Sequence, residues 1–216
     1  MNKKKKPNKK YFPLILLIAY LIEFTILAFN PYDRSVWWAE NIPVLITVLF
    51  LVITYRWFKF SNLAYFLMGI FLMYHTIGGH FTFERVPFDF FDNLLAKIHL
   101  NFLFPIGRNN FDRVGHYLVG VFAYPLAEFF YRKKLVRKLW VAIIFGVFAL
   151  GFWAAFYEVV EMIYAISDGG VSGQSFLGSQ GDIWDAQKDM LLDILGAITV
   201  FVLFGRYLKP KSKRKK

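Results

Sequence analysis

Four aspartates, Asp182, Asp185, Asp189 and Asp193, recur at i, i+3, i+7 and i+11. At about 3.6 residues per turn such a series falls on one face of a helix. Asp112 with His116 and Glu158 with Glu161 are two further same-face pairs. Carboxylates beside an imidazole suit two kinds of chemistry: holding a divalent cation through oxygen and nitrogen ligands, and moving protons as general acid and base. Asp189, Glu158 and Glu161 are therefore candidate catalytic residues. His116, Asp112, Asp182, Asp185 and His80 are candidate metal ligands. Arg108 and Arg113 flank Asp112 and are candidates for gripping an anionic headgroup.

Each has a plainer role open to it. Asp182 and Asp185 also suit the start of a helix, where negative charge is favoured. Glu158 and Glu161 could instead pair with Arg108 or Arg113 and lock the helices together. A histidine satisfied by a neighbouring carboxylate needs no other function. Ser167–Gly181 is rich in Gly and Ser and reads either as a linker or as a phosphate-cradling loop. No Walker, zincin or nucleophile-elbow pattern occurs; the carboxylates with histidines imply a divalent metal ion, Mg²⁺, Mn²⁺ or Zn²⁺, as the cofactor. The chain has no cysteine, which excludes disulfides, thiolate nucleophiles and Cys-ligated zinc.

The elements that must position these groups are apolar. Of the 216 residues 57% are hydrophobic and 20% aromatic. Runs such as 11–29 and 63–81 approach the ~20 residues that cross ~30 Å of hydrocarbon. Helices are expected near 11–29, 41–58, 62–82, 111–131, 139–166 and 186–206. The first is read as a retained helix rather than a cleaved leader. The fold class expected is all-α: a polytopic membrane protein, a bundle of six transmembrane helices, with an outer-surface interfacial segment at 88–104. The domain organisation expected is a basic tail at 1–10, one transmembrane domain at 11–206 and a basic tail at 207–216.

Charge orients it. With six spans both ends share a side, and 20 of the 26 Lys and Arg residues fall on that side. Cytoplasmic loops retain positive charge, so both termini are expected in the cytoplasm of a multi-pass protein of the inner or plasma membrane. The net charge of +11 then reflects topology and attraction to membrane lipids, the expected partners, rather than nucleic acid. No internal repeat of the transporter kind is evident. Asp189 and Asp193 would lie about 5 and 11 Å inside the outer end of the last helix. Buried ionisable groups at that depth are costly and mark functional sites. Glu128 and Arg132 form an i,i+4 pair at the opposite end and read as structural. Glu23 sits alone in the first helix.

The segments FDRVGH, FYEVVE and SFLGSQGDIWDAQKDM, with GGHFTFERVP and RNN before them, resemble the YjdF family of bacterial inner-membrane proteins. The resemblance runs from about Asp33 to Phe204. A looser similarity of pattern is to VanZ-like membrane proteins. The family resemblance implies a topology and a residue set rather than a reaction. His80, Arg108, Asn109, Asp112, Arg113, His116, Glu158, Glu161, Gln180, Asp182, Asp185, Gln187 and Asp189 match it. His75, Glu84 and Asp193 depart from it, and Asn110 stands where a histidine is expected, which sets these four outside the expected core. Three functions stay open: an enzyme acting on an envelope lipid or its headgroup, an ion- or proton-coupled transporter, and a non-catalytic envelope or resistance accessory protein.

Overall fold

Asp33 decides where the second helix begins. Its Oδ1 accepts hydrogen bonds from the backbone N–H groups of Ser35 and Val36, which would otherwise be unpaired at a helix start. Helix α2 therefore runs Arg34–Thr54, not from residue 41, and carries Glu40 inside it. It follows α1 (Phe12–Leu27), which has Pro13 near its start, where a missing N–H costs least. The computed structural model describes residues 11–208 except 98, 169, 171–172 and 174–175. The tails expected at 1–10 and 207–216 lie outside the described residues, apart from Tyr207 and Leu208.

Helix α3 (Asn62–Phe81) is capped by Ser61, whose Oγ accepts from Ala64 N–H. Ser61 is itself held from across the bundle: its backbone N–H and Oγ both donate to the Glu128 carboxylate at 2.7 Å. Arg132 pairs with the same carboxylate one turn on. Helix α4 (Asp89–Lys97) buries no residue, as suits a surface segment. The helix expected over 111–131 is instead α5 (Phe111–Val119), a 3₁₀ turn (Gly120–Phe122) and α6 (Ala123–Arg132). Pro125 has no N–H for the carbonyl one turn before it, and the chain tightens there. Helices α7 (Leu139–Asp168) and α8 (Asp185–Phe204) follow, with a 3₁₀ turn (Gly205–Leu208) after α8.

Helix α8 packs against α5 and α7, α3 against α1, α2 and α5, and α6 against α7. Gly120 and Gly196 allow the closest of these approaches. A Cβ on Gly196 would lie 1.9 Å from the Tyr117 carbonyl oxygen, and one on Gly120 2.3 Å from Ala197 N. Without side chains at this crossing, α5 and α8 run close enough for Asp112 and His116 to reach the aspartates of α8.

Helices α2, α7 and α8 are long and apolar enough to cross a membrane; α1 is shorter, at 16 residues. Beside an apolar core, the structure buries several charged groups and turns many large apolar side chains outward. Glu40, Asn41, Arg113, Asp189 and Asp193 are buried, while Ile46, Phe50, Phe148 and Phe152 are exposed. Apolar side chains turned outward and charges turned inward suit a hydrocarbon solvent.

Candidate functional site

The starts of α2, α5 and α8 and the ends of α3 and α7 meet at one end of the bundle, and Glu40, Asp112, Glu161 and the aspartates of α8 meet with them. Arg113 is the hub. Its side chain has no exposed surface, and its Nη atoms donate to Asp189 Oδ1 (2.5 Å), Asp185 Oδ1 (2.7 Å), Asp182 Oδ2 (2.9 Å) and the Asp185 carbonyl (3.0 Å). Arg108 bonds to Asp185 Oδ1 at 2.8 Å and to the carbonyls of Ser179 and Gly178. Lys188 donates to Asp182 Oδ2 at 2.7 Å.

Asp182 sits just ahead of α8, and its Oδ1 accepts from Trp184 N–H. Partial burial raises its carboxyl's pKa. The Lys188 hydrogen bond, the Trp184 N–H and the charges of Lys188 and Arg113 outweigh that, and the group ends below its ordinary value. Asp182, Asp185 and Asp189 are thus balanced by Arg108, Arg113 and Lys188.

A second layer lies beside the first, joined to it through Asp189 and through Asp112, whose Oδ2 lies 3.7 Å from Arg108 Nη2. Asp112, His116 and Asp189 each offer a ligand atom, and these atoms lie within 4.8 Å of one another. The His116 ring presents Nδ1 to Asp193 Oδ2 at 3.3 Å and Nε2 towards Asp112 Oδ1 at 3.7 Å. Asp193 is 2% exposed, and its Oδ1 has no hydrogen-bond partner among the described residues; nor has Glu158 Oε1. Orphaned carboxylate oxygens in a buried setting are costly, and a cation among them would relieve that cost.

Asp112, His116 and Asp193 border a cavity of about 300 Å³. At one end it is lined by Glu40, His75, Asp112, His116, Tyr157, Glu161 and Asp193. Towards the other end come Val119, Phe122, Leu126, Ala149, Leu150 and Trp153. From Glu161 to Ala149 along α7 is about 18 Å at 1.5 Å per residue. Glu40 anchors the polar end on the far wall: its Oε2 lies 3.1 Å from His75 Nε2 and accepts from the Tyr157 hydroxyl at 3.2 Å.

The expected residues therefore divide. Asp112, His116 and Asp189 converge, and Glu161 lines the cavity beside them. Asp182 and Asp185 are engaged with the arginines. Arg108 and Arg113, read as headgroup-binding, are buried with their Nη atoms engaged by carboxylates and carbonyls of their own chain. His80 stands apart, its Nδ1 2.8 Å from the Leu27 carbonyl at the end of α1. The described part of the Gly/Ser loop turns the carbonyls of Gly178 and Ser179 to Arg108, so there it cradles a cation, not a phosphate.

Asp193 and His75, set aside as departures from the family pattern, lie on the cavity wall in contact with His116 and Glu40. Glu84 pairs with Arg85, and Asn110 bonds to Asp92. Glu40 and Tyr157 were not legible as site residues. A helix expected from residue 41 excludes Glu40; the signal that includes it is Asp33, a helix-capping residue just ahead of Arg34.

No solved structure matches this chain. A curated relative, "Inner membrane protein YjdF" of Escherichia coli (strain K12), is 32% identical over 200 residues, which are 90% of this chain and 91% of the relative. Residues 12–210 match the family model described as "Predicted membrane protein (DUF2238)". A match across nearly the whole length, with a full-length relative at that identity, places this chain in that family of membrane proteins.

Proposed function

We propose that the protein holds a divalent cation on Asp112, His116 and Asp189 and uses it on the polar part of an envelope lipid. The observation that carries this reading is the convergence of those three ligand atoms within 4.8 Å, with Asp112 and His116 on the wall of a cavity that is acidic at one end and apolar at the other. Two carboxylates and one imidazole suit Zn²⁺ or Mn²⁺. Three protein ligands leave a coordination position for water or substrate, as catalytic sites do. Such an ion would polarise a phosphoryl or carbonyl oxygen and lower the pKa of bound water. Glu161, on the cavity wall, and Glu158, one turn before it on the same helix, are the candidates for the base.

The same reading places α1, α2, α3, α5 with α6, α7 and α8 across the membrane, six crossings with both termini in the cytoplasm. What supports it is the sequence: 20 of the 26 Lys and Arg residues lie in the two terminal segments and in the loops that six crossings assign to the side opposite the carboxylates. The site then opens toward the outer leaflet. Transport is less well supported, because the inner part of the cavity is apolar.

Two measurements test this. Protein purified in detergent and equilibrated with Zn²⁺ or Mn²⁺ should carry about one ion, in line with a single three-ligand site. His116→Ala should remove it, and Glu128→Gln at the other end should not. Equal metal content in all three proteins would sink the site. Reporters placed after Lys216 and at Lys134 should read as cytoplasmic, and a tag at Gly170 should be reached from outside. Protection of that tag in intact cells would overturn the topology.

A further inference from the structure

Helices α2 and α7 both line the cavity, yet they are not packed along one another. Helix α2 lies along α3, and α7 lies along α6 and α8. The other helix pairs around the cavity, α2–α3, α3–α5, α5–α8, α7–α8 and α6–α7, are all packed. The hydrogen bond that joins α2 to α7, from the Tyr157 hydroxyl to Glu40 Oε2, is at the polar end. Away from it the two walls present Pro43, Val44 and Thr47 on α2 and Ala149, Leu150 and Trp153 on α7. Just outside that line, Ile46 and Phe50 on α2 and Phe152 and Phe156 on α7 are exposed, on the surface that meets lipid.

We infer that the seam between α2 and α7 is the doorway through which one hydrocarbon chain of a bilayer lipid enters the cavity, its oxygen-rich end stopping at the carboxylates and His116. The inference rests on the lipid reading above and adds the route and the part of the lipid that is held. Three features select this occupant. The cavity is long and narrow, about 300 Å³ spread over roughly 18 Å of helix, which suits a flexible chain better than a compact solute. Its polarity runs in the order of a lipid molecule, polar at one end and hydrocarbon below. The unpacked side faces the bilayer, so a chain exchanges one apolar surrounding for another and never crosses water. The Tyr157–Glu40 hydrogen bond closes the seam above the chain and sets how deep the headgroup can sit.

The test uses the full chain in vesicles of phosphatidylethanolamine and phosphatidylglycerol, doped with phosphatidylglycerol that carries a diazirine in the middle of one chain. After irradiation, adducts are mapped by mass spectrometry. Adducts are expected on Val119, Leu126 and Leu150 inside the cavity as well as on outward-facing Phe148 and Phe152. Ala149→Trp and, on the opposite wall, Thr47→Phe should each remove most of the inside adducts, because the added ring fills the space a chain segment would occupy. The outward adducts should be unchanged in both variants. Adducts confined to the outward residues of the wild-type protein would overturn the inference without any variant. So would inside adducts that persist in both variants. Metal content measured on the same samples separates the two ideas: inside adducts without bound metal would remove the metal centre and keep the chain site, and bound metal without inside adducts would do the reverse.

Discussion

Arg113 Nη1 lies 2.5 Å from Asp189 Oδ1, inside a side-chain cluster where Arg113 has no exposed surface. Asp189 thus has two duties, one to the arginine and one to the proposed cation. Arg113→Met would leave Asp185 and Asp189 short of their shared partner and should cost about 3–5 kcal/mol, the usual result of stranding buried charge. Asp189→Asn keeps the shape and leaves Arg113 with Asp182 and Asp185, so it should cost less while lowering bound metal. Melting curves in detergent rank the two. A larger loss for Asp189→Asn would mean that Arg113 is not the hub.

Asp193 orients His116. With Nδ1 directed at Asp193 Oδ2, Nε2 is the nitrogen left on the side of Asp112. Carboxylates behind a ligating histidine fix its tautomer and orientation, and removing one weakens metal binding about 10–100-fold. Asp193→Asn should show that loss in a Zn²⁺ titration followed by calorimetry, with the melting temperature of the metal-free protein little changed. Unaltered affinity would assign Asp193 to packing alone.

The α5–α8 crossing should tolerate nothing larger than glycine. Gly196→Ala sets a methyl against the Tyr117 carbonyl and should destabilise by about 1–3 kcal/mol or more, the range for overpacking. Gly205→Ala is the control, since its Cβ meets Phe201 at an ordinary 3.7 Å. If both melt alike, the crossing is looser than described.

Acid should undo one part of the cluster first. The Asp182 carboxyl sits below its ordinary value in the folded protein. Its stabilising contribution is therefore complete above the unfolded value of about 3.9 and is lost as pH falls through the lower folded-state value. The difference in melting temperature between wild type and Asp182→Asn should stay constant from about pH 7 to 5 and shrink below about pH 4. A gap that closes nearer neutrality would point to another group.

Most of the helical content was legible in the residues, because apolar runs of membrane length and the signals at helix ends are local. The i, i+3, i+7, i+11 aspartates were legible for the same reason: helical periodicity puts them on one face wherever the helix packs. The family was legible from motifs such as FDRVGH. Helix bounds shift where local signals compete. The Asp33 cap carried α2 back to Arg34 and took Glu40 into the bundle, and Pro125 with Gly120 split one expected helix in two.

Partnership was decided only by the tertiary structure. Thirteen matching polar residues carry no mark that says which will neutralise one another and which will stay free. The close crossing at Gly120 and Gly196 brings α5 onto α8, so Arg113 takes Asp182, Asp185 and Asp189 while His116 is left to Asp112 and Asp193. The packing of α3 on α1 draws His80 away to Leu27. Coulomb and hydrogen-bond energies depend on distances between segments far apart in the chain, and helical periodicity fixes only the face on which each residue stands.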